Sequence, residues 1–96
     1  MIDGLSALDL ARVCHVQSEV AQAWLDRTET PNEATLARLR LVQGVMERLA
    51  KNGIDDADDR VEWLRNPNRA FSYEAPIDLL ARDETKRVID YIDRLS

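Results

Sequence analysis

Residues 30–53 read TPNEATLARLRLVQGVMERLAKNG, and the spacing of their apolar side chains sets the fold class. Leu36, Leu39, Val42, Val45, Met46 and Leu49 recur at three- and four-residue intervals, which places them along one face of an α-helix. Arg38, Arg40, Glu47, Arg48 and Lys51 fall mostly off that face. The start is equally well marked. Thr30 can cap, Pro31 suits a first turn that needs no amide donor, and Glu33 can reach back to the cap. Gly53 is placed to end the helix in the left-handed conformation, so one long helix is predicted to run to Asn52.

Upstream, Ser6 and Asp9 form a capping pair for a short helix carrying Leu8, Leu10, Ala11, Val13 and Cys14. A turn at residues 15–17 follows, and Ser18 can cap a second helix, SEVAQAWLDR, with Val20, Ala21, Trp24 and Leu25 on one face. Downstream, the acidic run IDDADD at residues 54–59 favours a helix start, because carboxylates stabilise the positive end of the helix dipole. The helix DADDRVEWLR is predicted there, ending at the break Asn66-Pro67-Asn68. RAFSYEA reads as a loop, Pro76 opens the short helix PIDLLAR, and Asp83 can cap a last helix, ETKRVIDYIDRLS, built on Val88, Ile89, Ile92 and Leu95. Alternating β-branched runs are missing, and glycine and proline number three each, so the predicted class is all-α.

Composition narrows the functions on offer. Apolar residues at 45 % and charged residues at 32 % describe a globular chain with material for a modest core. No stretch approaches the roughly 20 apolar residues that span a bilayer, and the N-terminus has no basic leader, so cytoplasmic residence without a membrane is expected. Cys14 has no second cysteine to pair with, and His15 beside it supplies no zinc-ligand spacing. The run Asp55–Asp59 lacks the glycine and terminal glutamate of a calcium loop. Serine, cysteine and acid side chains stand in no recognisable nucleophile setting, so neither an enzyme nor a cofactor or metal is expected. The net charge of -5 opposes non-specific nucleic-acid binding. Most of that charge lies after Gly53, where eleven acidic residues face seven basic ones.

Within residues 59–96 a distributed pattern appears: the pair Trp63-Leu64 closing a helix, the Asn66-Pro67-Asn68 break, Phe71, Pro76 with Asp78-Leu79-Leu80, then Val88-Ile89 with Ile92. In order and spacing this resembles the toxin-binding domain of the bacterial Xre/MbcA/ParS antitoxins. Leu10-Ala11 through Trp24, then Pro31 and the long helix, is similar to the reduced helix-turn-helix region that these antitoxins carry. Relatives usually place a glycine three residues after that tryptophan, and this chain has Arg27 there. The resemblance implies a helix-turn-helix-like region with the long helix over 1–53 and a three-helix toxin-binding domain over 54–96. It further implies an antitoxin that occludes the active site of a cognate toxin, commonly a NAD-consuming RES-domain enzyme, and that could co-repress its own operon. A dimeric helix-turn-helix regulator without a toxin is the alternative. The expected partners are therefore the toxin, operator DNA and a second copy of the chain in a homodimer or hetero-oligomer.

Candidate contact residues follow from position. Phe71 and Tyr73 sit between breaks, where an aromatic serves either an interface or a small core of its own. Arg82, Arg87, Tyr91, Arg94 and Ser96 lie around the last helix and its entry, either at the rim of a toxin cleft or on a solvated face of ion pairs. On the second helix, Gln17, Ser18, Gln22 and Arg27 would face DNA, but Glu19 and Asp26 share that element and repel phosphate.

Overall fold

Helix-forming sequence dominates the computed structural model, which describes residue 2 and residues 4–95. The elements are α1 (Ala7–Cys14), α2 (Ser18–Leu25), α3 (Glu33–Lys51), α4 (Ala57–Arg65), a 3-10 turn (Arg69–Phe71), α5 (Pro76–Ala81) and α6 (Thr85–Leu95). The fold is all-helical, with a long central helix followed by three shorter α-helices. No helix among the described residues is long and apolar enough to cross a membrane.

The helix starts show which local signals win. At α1 the Ser6 side chain accepts from the Asp9 amide while the Asp9 carboxylate accepts from the Ser6 amide, a complete capping box. At α3 the expected cap moves two residues. Asn32, not Thr30, accepts from the Thr35 amide at 2.9 Å, and the helix begins at Glu33. Pro31 thus lies outside the helix, buried beside Leu36 in the arrangement of a hydrophobic staple, so its packing rather than its missing N–H decides its place. At α2 the N-cap is Gln17, with no side-chain hydrogen bond, and Ser18 is already helical.

Four helices end in the same way. His15, Arg27, Gly53 and Asp83 all have positive φ, between 57° and 94°. After each, the next amide reaches back one and a half turns: Val16 to Ala11, Thr28 to Ala23, Ile54 to Leu49 and Glu84 to Leu79, at 2.9 to 3.2 Å. These are Schellman-type ends that satisfy otherwise orphaned carbonyls. Asp83 therefore closes α5 and does not cap α6. Arg27 makes this turn without a glycine. A side chain held at left-handed φ costs about 1–2 kcal/mol, part of which glycine returns as unfolded-state entropy. Because Arg27 is exposed, Arg27→Gly is expected to raise stability by about 0.5–1 kcal/mol in urea unfolding. Loss of stability would show that the arginine side chain holds the turn.

One apolar core joins both halves of the chain. Leu10 and Val13 of α1, Leu49 of α3, Leu64 of α4, Ile77 and Leu80 of α5, and Ile92 of α6 are fully buried within a single cluster. Polar ties reinforce the join. Arg65 forks onto Asp9 at 2.9 and 2.6 Å, and Arg12 forks onto Asp78 at 2.7 and 2.6 Å. Arg38 Nη1 donates to the carbonyls of Val13 and Ala81 at 3.1 and 3.0 Å, capping the ends of α1 and α5 at once. Its Nη2 pairs with Asp83 at 2.6 Å. His15 Nε2 stands 2.5 Å from the Ala81 oxygen and donates to it.

A candidate partner-binding surface on the C-terminal helices

Asn66-Pro67-Asn68 ends α4 and starts a tight excursion. The Asn68 side chain accepts from the Ala70 amide at 2.9 Å, while the Asn68 backbone bonds Glu74 and Tyr73, both at 3.0 Å. Ser72 and Tyr73 both take left-handed φ, 57° and 66°. That geometry sends the two loop aromatics opposite ways: Phe71 is buried, and Tyr73 is 69 % exposed. The sequence left both roles open for each ring, and the fold assigns them differently.

Phe71 packs edge-on against Tyr91 of α6 at 5.2 Å and against Trp63 of α4 at 6.5 Å, and Tyr91 stacks on Trp63 at 6.5 Å. Trp63 and Tyr91 are partly buried rather than fully enclosed, so their edges reach the surface. Over this aromatic floor lies a depression of about 200 Å³, lined by Ala70, Phe71, Arg87, Asp90, Tyr91 and Arg94. Arg87, Tyr91 and Arg94 converge there because they stand four and three residues apart on α6, whose opposite face buries Val88 and Ile92. Four of the expected contact residues, Phe71, Arg87, Tyr91 and Arg94, thus share one site. Asp90, which sequence reasoning passed over, lines it too.

The remaining cations differ in how far they are engaged. Arg82 is held between Glu74 and Glu84 at 2.5 and 2.8 Å, and those hydrogen bonds push its already high pKa further up. Arg87 donates to Glu84 at 2.6 Å, and Arg87 followed by Arg82 holds the Glu84 carboxyl below the usual glutamate range. Arg94 is exposed at the end of α6. Ser96 lies outside the described residues.

The candidate DNA-facing set separates. Ser18 and Gln22 line an open concavity of about 510 Å³ together with Glu19 and Asp26, whereas Arg27 lines a different groove with Trp24, Pro31 and Leu36. Gln17 is exposed at the start of α2. The Cys14 thiol is pushed up by burial, with nearby Arg38 opposing in part. Among the described residues, no group of three or more His, Cys, Asp or Glu side chains could hold a metal ion.

The surface is thus an aromatic floor with guanidinium groups on its rim, carried on helices rather than in a deep cleft. Residues 54–96, which contain α4 to α6 and this whole surface, match the model of the antitoxin Xre/MbcA/ParS C-terminal toxin-binding domain. The likeness to that family's toxin-binding domain covers the second part of the chain, residues 54–96. No curated protein and no solved structure matches the chain.

Proposed function

We propose that the chain is an antitoxin that silences a cognate toxin by steric cover, with α6 and the 66–75 loop set against the mouth of the toxin's cleft. One observation carries this reading: the residues matched by the toxin-binding family contain the depression lined by Phe71, Tyr91, Arg87 and Arg94. Exposed Tyr73 stands on the same loop as Phe71 and adds a rigid amphipathic ring of the kind enriched at interface hot spots. The catalytic chemistry then belongs to the toxin, in this reading a NAD-consuming RES-domain enzyme acting in the cytoplasm. Residues 1–53 complete the assembly as a region continuous in core with residues 54–96. In this reading, any co-repression of the operon comes from a homodimer or toxin-bound assembly, because the outer face of α2 carries Glu19 and Asp26 against phosphate.

Co-expression with the toxin encoded beside it tests the proposal. The pair is expected to co-purify as a stoichiometric complex with toxin activity suppressed. A toxin that stays active with this chain in excess ends the antitoxin reading.

A further inference from the structure

We infer that the outer face of α1 and α2 is a docking surface for a basic amphipathic segment of a protein, separate from the surface on α6. Leu8 is 72 % exposed in the first turn of α1. It lies with Ala7 and Ala23 in the 510 Å³ concavity, whose rim carries Glu19, Gln22 and Asp26. Gln22 donates to Asp26 at 3.0 Å, which fixes that carboxylate over the concavity. The lining contains no cation. Arg12 is committed to Asp78, and Arg27 lines the other groove.

Charge decides the kind of occupant. Nucleic acid would bring phosphates against two carboxylates with no arginine or lysine to neutralise them, so the binding term that dominates DNA affinity is reversed in sign here. A lysine- or arginine-bearing segment meets the opposite field. Exposed ion pairs are individually weak, so the carboxylates orient the segment. Covering Leu8 with an aliphatic side chain supplies more of the affinity. The surface therefore suits a helix that carries one aliphatic residue flanked by cations, docked groove-to-helix.

The full chain, isotope-labelled for amide spectra, is titrated with a short helical Lys/Leu/Ala peptide. Shifts are expected to concentrate on Ala7, Leu8 and residues 18–26, and to weaken as salt is raised. Leu8→Ser is expected to lower affinity by about tenfold or more, as is the pair Glu19→Gln with Asp26→Asn. All three positions are exposed, so an unchanged amide spectrum elsewhere verifies the fold of each variant. An acidic analogue of the peptide should produce no shifts. The inference is overturned if the shifts centre on the acidic run 55–59, if Leu8→Ser binds as well as the parent, or if duplex DNA displaces the peptide from these residues. None of these outcomes bears on toxin binding by α6, which is measured separately.

Discussion

Arg65→Ala is expected to destabilise the chain by about 2–3 kcal/mol at neutral pH, a large share of the stability of a domain this small. The reason lies in Asp9, whose side chain is only 8 % exposed. Burial alone would push its carboxyl up, but two hydrogen bonds from Arg65 and those from the Ser6 amide and hydroxyl outweigh it and hold Asp9 below the usual aspartate range. Removing the guanidinium leaves a buried charge supported only by Ser6. The full cost of orphaning a buried ion is about 3–5 kcal/mol. The lower figure applies here because Arg65 is itself 39 % exposed and water can enter where it stood.

The pH dependence distinguishes this account from simple loss of packing. Because the folded state depresses the pKa of Asp9, its contribution is fully present above the unfolded value of about 4 and is lost as pH falls through the lower folded value. In Arg65→Ala that depression weakens, since the counterion and its two hydrogen bonds are gone while the burial that favours the protonated carboxyl remains. The deficit of the variant should therefore be complete above about pH 5 and shrink below about pH 4 in urea unfolding. A deficit that stays constant across that range would show that Arg65 acts through its alkyl stem alone.

This tie also shows where local sequence reading stops. Asp9 and Arg65 are 56 residues apart, so neither spacing nor helical periodicity could pair them. The capping box at Ser6 was legible because it closes within one turn, and the same Asp9 carboxylate then serves the long-range fork. Helix ends tell a similar story. Gly53 announced one left-handed terminus, whereas His15, Arg27 and Asp83 make the same turn without a glycine to mark it. Their conformation is set by the amides that must reach back and by tertiary partners such as Arg38 on Asp83. Asn32 displaced Thr30 as the cap of α3 because the burial of Pro31 fixes the entry of the chain, a packing fact that the local motif does not contain.

At the candidate site, the helix periodicity of α6 sufficed to bring Arg87, Tyr91 and Arg94 together. The division of labour between Phe71 and Tyr73 was not legible. It depends on consecutive left-handed residues at 72 and 73 and on the pocket that Trp63 and Tyr91 form from distant elements. The family pattern spans these residues for a physical reason: Trp63-Leu64, Phe71 and Val88-Ile89 build the floor and core that present α6. The exposed cations and Tyr73 lie outside that scaffold.

Charge reversal on α6 carries the second large expected effect. Arg87 and Arg94 are exposed, so Arg87→Glu with Arg94→Glu should leave the helical fold intact, although Arg87 gives up its bond to Glu84. Against a toxin surface complementary to those guanidiniums, each reversal replaces attraction with repulsion at a desolvated contact. A loss of about 1.4 kcal/mol at each position, in the range of an energetically significant interface contact, weakens binding by the pair roughly 100-fold. Lys51→Glu, on the exposed end of α3, serves as the matched change of charge away from the surface. The most direct measurement is titration of purified toxin activity with the parent chain, the Arg87→Glu/Arg94→Glu variant and the Lys51→Glu variant. The account predicts full inhibition by the parent and Lys51→Glu chains, with inhibition by the α6 variant shifted to about 100-fold higher concentration. Equal inhibition by all three would contradict the assignment of the toxin-binding face to α6.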